Sequence, residues 1–242
     1  MSSFAVLTAN AGLLLNIEGK TVLLDAVHTG SNRFSGVTDQ VLDAMISGDG
    51  DFARIDYMII THDHPDHVSL RHVNRFLKTH PETVVFSPLK NIFGEHVYQL
   101  FLSSENYRFG DDHFYFRNLI HDGVEYKNVR NYGGVINIAG KKISFFGDAA
   151  IDNIQLNGEL GDEFDLSVFN FPFLTLSRGR DMIKKMDPKG CVICHIPFEY
   201  DDVNGYRDSV SRVYEKYGAS LPPMRIMTKE LQKERVFEQN SF

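Results

Sequence analysis

The chain has 242 residues, enough for one large domain or two small ones, and 43% of them are hydrophobic, enough for a substantial core. A formal charge of −7 and a pI near 5.8 argue against a nucleic-acid coat protein or a basic membrane-surface protein. They leave room for a small anionic substrate, because bound metal ions supply local positive charge.

Phe4–Thr8, Gly12–Ile17 and Thr21–Asp25 are strand-like and are separated by the turn signals Ala9-Asn10-Ala11 and Glu18-Gly19-Lys20. They predict an antiparallel meander. Val37–Ile46 reads as a helix. Ile55–Ile60 reads as a short buried strand. Val68–Leu77 reads as a helix, with apolar residues at Val68, Leu70, Val73, Phe76 and Leu77. Val84–Phe86 is a short strand and Leu89–Leu102 a predicted helix.

The character then changes. Tyr107–Phe109, His113–Ile120, Gly134–Ile138 and Lys142–Phe146 predict a second antiparallel sheet, with turns at Gly110-Asp111-Asp112 and Ala139-Gly140-Lys141. Leu166–Phe169 is a strand, Arg178–Met186 a helix and Cys191–Ile193 a strand. Val203–Tyr217 is a helix and Arg225–Met227 a last strand. Strands followed by helices, twice over, predict two packed sheets with helices outside. No linker or repeat divides the chain, so a single domain is expected. Residues 229–242 read as a charged, flexible tail. No apolar run reaches the roughly 18 residues that span a bilayer. The start Met1-Ser2-Ser3-Phe4 lacks a basic leader region, so a cytoplasmic location is expected, with no membrane partner.

The densest chemical signal is Thr61-His62-Asp63-His64-Pro65-Asp66-His67. Imidazole and carboxylate suit borderline divalent metals, and four such groups so close together serve no apolar core. The motif falls between the strand ending at Ile60 and the helix starting at Val68. In α/β proteins, sites form at such strand-to-helix loops. The two cysteines, Cys191 and Cys194, spell a Cys-x-x-Cys-His haem-attachment pattern. They lie on an apolar strand with no second cysteine pair, and read as free buried thiols.

Taken in order, five segments resemble the metallo-β-lactamase superfamily over nearly the whole chain. They are Leu23-Leu24-Asp25, the His62/His64/Asp66/His67 motif, His121 at a strand end, Phe146-Gly147-Asp148, and His195 in His195-Ile196-Pro197. His113 competes for the third place. His121 is preferred for its strand-end position and its spacing before Asp148. The segment Asp165–Pro172 resembles the compact branch that includes the ascorbate-6-phosphate lactonases.

The resemblance implies an α/β fold, a four-layer αββα sandwich with two divalent metal ions at one edge. His62, His64 and His121 would hold one ion, and Asp66, His67 and His195 the other. Asp148 would bridge, and Asp25 would orient the ligands from behind. A hydroxide bound to both ions would attack a small ester, lactone or phosphoester, with Asp66 and Asp148 as the catalytic carboxylates. Histidine at position 64 favours zinc, with manganese and iron as the alternatives.

For the substrate, Phe171, Phe173 and Phe198, with Phe169, read either as core or as an apolar rim to the cleft. Arg178 and Arg180 read as a solvated face or as an anion clamp. His28 reads as a loop histidine that could reach the cleft. A small-molecule partner is expected and nucleic acid is not. Rival functions are a single-iron, persulfide dioxygenase-like oxidoreductase and a non-catalytic metal-binding sensor.

Overall fold

Alternation along the strands sets the layers. In Gly12–Ile17 (β2), Leu13 and Leu15 point into one apolar cluster while Leu14 points into another. Lys20–Leu24 (β3) and Tyr57–Ile59 (β4) repeat the pattern, with Val22, Leu24, Tyr57 and Ile59 on one face and Leu23 and Met58 on the other. A strand apolar on both faces has to be covered on both. The computed structural model, which describes residues 3–237, shows how.

The first sheet adds Phe4–Ala9 (β1), Val84–Ser87 (β5) and Val97–Gln99 (β6), with Lys233–Arg235 at its edge. β1, β2 and β3 pair antiparallel, and β3 to β6 run parallel. The second sheet holds Ser104–Phe109 (β7), Asp112–Ile120 (β8), Arg130–Ile138 (β9), Lys141–Phe145 (β10), Leu166–Asn170 (β11), Cys191–Cys194 (β12) and Met224–Ile226 (β13). Its order is β13-β12-β11-β10-β9-β8-β7, antiparallel from β7 to β10 and parallel from β10 to β13. The edge strand Lys233–Arg235 is β14 and pairs antiparallel with β1.

Leu7, Leu13, Phe86, Phe114, Phe116, Tyr132 and Phe145 fill the space between the sheets. The outer face of the first sheet is covered by Asp39–Ser47 (α1) and Leu70–Thr79 (α2), through Val41, Leu42, Met45, Val73, Phe76 and Leu77. Pro172–Thr175 (α3), Ser177–Met186 (α4) and Tyr206–Tyr217 (α5) cover the second through Phe173, Leu174, Ile183, Met186 and Val210. This is the expected αββα sandwich. The thiols of Cys191 and Cys194 are free and buried, the first toward the helices and the second between the sheets.

Two expectations need correction. No helix forms over Leu89–Leu102. Leu89 and Ile92 bury under the outer helices while Leu100 buries between the sheets, a division that one helix face cannot serve. Asn91 takes a left-handed φ of 66°, Gly94 interrupts the run, and Val97–Gln99 pairs parallel with β5. The segment 229–242 is also not all tail. β14 lies in it, and Val236 packs between the sheets; residues 238–242 fall outside the described part. Among the described residues, no helix is long and apolar enough to cross a membrane.

The fold positions the site by the ends of its strands. The parallel strands β3 and β4 deliver Asp25 and Thr61-His62 at their carboxyl ends. From the second sheet, β10, β11 and β12 deliver Gly147-Asp148, Asn170 and His195 at theirs. β8 ends at Ile120, and the next residue, His121, bridges to Ala149.

Candidate metal centre

Two groups of donor atoms form at this edge: His62, His64, His121 and Asp148 in one, and Asp66, His67 and His195 in the other. In each group the ligand atoms lie within 4.8 Å of one another. All but His64 and Asp148 are buried. His113, the competitor, sits away from them on β8, 3.2 Å from Asn106.

A short relay fixes how the histidines present themselves. Asp25, at a left-handed φ of 47°, accepts the Thr61 N–H at 2.8 Å on Oδ1 and the Thr61 hydroxyl at 2.7 Å on Oδ2. With its proton spent there, the Thr61 oxygen accepts from His62 Nδ1 at 2.9 Å. The same Asp25 Oδ2 accepts from His67 Nδ1 at 2.9 Å. His121 Nδ1 donates to the Asp122 carbonyl at 2.6 Å. In all three rings Nδ1 carries the proton and Nε2 keeps its lone pair, the form a metal ligand requires. Asp25 reaches His67 directly and His62 through Thr61, a residue the sequence reading passed over.

The ring nitrogens converge. His67 Nε2 is 3.0 Å from His195 Nε2, and His62 Nε2 is 3.1 Å from His64 Nδ1. His121 Nε2 is buried and has no hydrogen-bond partner among the described residues. An orphaned buried nitrogen is costly, and a divalent cation would satisfy it. The donor set therefore fits metal ions. The electrostatics agree. Burial, then the neighbouring His67, hold His62 neutral, and burial likewise lowers His195 and His64. Burial also opposes charge on His67, but Asp148 and Asp25 outweigh it and raise its pKa well above the usual value. Against the opposing effect of burial, His67 and His195 hold the Asp148 carboxyl well below its usual range.

Backbone strain marks the same edge. His195 (φ 62°) and Asp25 are non-glycine residues in the left-handed region, each just past a strand end. Gly147 has φ 54°, and a Cβ there would come within 2.2 Å of Asn131 Oδ1. That Asn131 oxygen accepts the Asp148 N–H at 3.0 Å while its amide donates to the Phe146 carbonyl at 3.0 Å. Asn170 donates both to Asp148 Oδ1 and, at 2.8 Å, to the Gly147 carbonyl. Two asparagines therefore hold Asp148, and neither is apparent from local sequence.

A cavity of about 190 Å³ opens over Asp148 and His195. Phe171, Phe173 and Arg178 line it, and so do Phe34 and Tyr126, which no periodicity picks out. Phe198 does not line it: the residue is buried in the core between the sheets. His28 does not line it either. It is buried beside His67 and His195, and burial, then their charges, lower its pKa to about 3. Arg178 is exposed and pairs with Asp152 at 3.4 Å. Arg180 turns away, donating to the Leu174 and Thr175 carbonyls and stacking on Tyr217. A larger groove of about 450 Å³ lies at the opposite strand ends, beside Lys141, Lys189, Arg225 and Arg235, far from any ligand group.

No known family profile matches the sequence, and no curated protein matches it. Solved structures do. A possible metal-dependent hydrolase from Veillonella parvula aligns at 15% identity, covering 97% of this chain and 100% of that one, with a TM-score of 0.67. The metallo-β-lactamase fold protein YhfI from Bacillus subtilis aligns at 13% identity over 97% and 99% of the two chains, TM-score 0.59. CmlA, a diiron beta-hydroxylase from Streptomyces venezuelae, aligns at 13% identity and TM-score 0.63; 97% of this chain is covered, and it spans only 54% of the hydroxylase. At these identities the likeness is one of fold. The chain has the metallo-β-lactamase fold, with a His/Asp cluster suited to divalent metal at its edge.

Proposed function

We propose that this protein is a metal-dependent hydrolase that holds two divalent ions and cleaves a small ester, lactone or phosphoester. The geometry of Asp148 carries the reading. Its Oδ2 faces His62 and His121, each at 3.7 Å, while its Oδ1 faces His67 at 3.4 Å and His195 at 3.6 Å. One carboxylate shared in this way suits two cations about 3.5–4 Å apart. His62, His64 and His121 would hold one ion with Asp148, and Asp66, His67 and His195 the other.

Bound ions would bring the pKa of a water from about 15.7 toward 7 and would polarise the substrate's carbonyl or phosphoryl bond, leaving its carbon or phosphorus open to attack. The chain's own residues do the rest. Asp25, with Thr61, keeps the lone pairs of His62 and His67 turned inward. Asp66, 3.6 Å from His195, accepts the proton from the attacking water. Asn170 holds the plane of Asp148.

The imidazole-rich donors favour zinc, with manganese and iron as the alternatives. The small cavity and the acidic chain support a small-molecule substrate over a nucleic acid. Likeness to the lactonase branch rests on Asp165–Pro172. Asp165 lies at the far end of β11, bound to Lys189 and to the Lys142 N–H, so it does not narrow the substrate.

The test joins elemental analysis to a panel of chromogenic esters, lactones and phosphodiesters, run beside a structured RNA with zinc and with manganese. About two ions per chain and small-molecule turnover are expected. Asp148→Ala should lose both while circular dichroism stays unchanged. One iron per chain would favour the dioxygenase reading. Two ions with no turnover of any kind would favour a sensor. Salt-sensitive RNA cleavage alone, lost in His64→Ala, would overturn the substrate class.

A further inference from the structure

The walls of the cavity carry information that the ligand groups do not. Phe34 stands over one group, its ring edge-on to His195 at 4.2 Å. Tyr126 stands over the other, its ring 4.8 Å from His64 and 5.1 Å from His121. Both line the cavity, one from the loop before α1 and one from the turn after His121. Phe34 is only half-buried, yet it is held: its ring stacks on Tyr206 at 6.1 Å with the planes 13° apart, and Tyr206 packs on Phe171 at 4.8 Å. Tyr126 is 41% exposed, a large apolar surface left open at the mouth of a site.

Size narrows the choice of ligand. The cavity, about 190 Å³, lies below the roughly 300 Å³ at which drug-sized pockets begin. An apolar cavity of about 150 Å³ takes up one benzene molecule. Arg178 is the one cationic chain on the wall among the described residues, and it already pairs with Asp152. Asp122 adds a carboxylate to the lining.

We propose that Phe34 and Tyr126 form an aromatic clamp that selects a substrate with a single flat ring bonded directly to the cleaved group, such as an aryl ester. The proposal rests on the hydrolase reading for its chemistry and on the ring contacts for its selectivity. In the reaction, the oxygen of water bonds to the acyl carbon and the acyl–oxygen bond breaks. One proton of the water ends on the departing aryl alcohol, and the other leaves with the acid. Two aromatic walls line the cavity, and a ring-to-ring contact, stacked or edge-on, is worth about 0.5–1.5 kcal/mol beyond burial, or roughly three- to tenfold in affinity.

Binding and turnover are measured separately on the zinc-loaded chain. Acetanilide is the uncleaved amide analogue of phenyl acetate, and N-ethylacetamide is its ringless counterpart. NMR titration should show acetanilide binding at least about tenfold more tightly. Phe34→Leu and Tyr126→Leu keep the bulk but lose the ring. Each should weaken acetanilide about three- to tenfold, leave N-ethylacetamide unchanged and keep wild-type metal content, while Tyr126→Phe stays within about twofold of wild type. The preference in kcat/KM for phenyl acetate over ethyl acetate should fall by the same factor in the leucine variants. Equal binding of the two amides, or acetanilide binding indifferent to both leucine variants, would overturn the clamp. Clamp-dependent binding with no ester cleaved would leave the clamp standing and remove the hydrolase. Esters cleaved without regard to the ring would do the reverse.

Discussion

His121 shows how much one ring can decide. Its Nδ1–H is committed to the Asp122 carbonyl, so its buried Nε2 can only accept, and no donor among the described residues supplies it. His113, eight residues earlier, has the same chemistry but faces Asn106 near the surface. His121→Ala should therefore lower the metal content by about one ion per chain, while His113→Ala should leave it at about two. Elemental analysis of the two variants decides it: metal lost from His113→Ala and retained in His121→Ala would reverse the assignment. Asn170 acts at one remove. Its hydrogen bond to Asp148 Oδ1 turns that oxygen toward His67 and His195. Such outer contacts weaken metal binding by about 10–100-fold when lost.

At the scale of the elements, the site was legible where its chemistry is local and hidden where it is not. The His62–His67 run declares itself, because no core needs four such groups together. Asp25, Asp148 and His195 were readable as strand-end residues, and each stands just past its strand. Thr61, Asn131 and Asn170 were not readable as supports, because their partners lie 36, 17 and 22 residues away. Phe34 sits in a polar loop, Gly30-Ser31-Asn32-Arg33, with no period to recruit it. The helix expected over Leu89–Leu102 failed for a related reason: apolar spacing cannot tell one buried face from two. The turn after β10 gives a prediction at this scale. Gly147 combines φ 54° with a wall formed by Asn131 and Thr61, so Gly147→Ala forces either the backbone or Asn131 to move. A loss of about 1–3 kcal/mol in urea unfolding is expected, together with weaker metal binding, because Asp148 follows directly. Unchanged stability and metal affinity would show that the turn is not what sets Asp148.

Across the whole molecule, each ligand group draws on both sheets. His62 and His64 leave β4 to meet His121 and Asp148, and Asp66 and His67 leave the same loop to meet His195. Bound ions therefore tie the sheets together, and the metal content should set the stability. An ion at about a thousand times its dissociation constant stabilises the fold by about 4 kcal/mol, worth roughly 2–4 °C per kcal/mol in a chain of this length. Chelation at neutral pH should lower Tm by on the order of 10 °C or more, and the Asp148→Ala variant should ignore the chelator. In the chelated protein, acid adds a second effect through His28. Its folded pKa is depressed to about 3, against an ordinary 6.5, so below 6.5 the unfolded chain binds a proton that the folded chain refuses. The stability present above pH 6.5 should then fall as the pH drops toward 3, by at most about 1.4 kcal/mol per pH unit from this residue. His28→Phe removes the titrating group and should flatten that limb of the apo-protein's urea-unfolding profile. An acid limb equally steep in wild type and variant would assign it to the ligand histidines alone. A Tm unmoved by chelator in the wild type would mean that the ions do not join the two sheets.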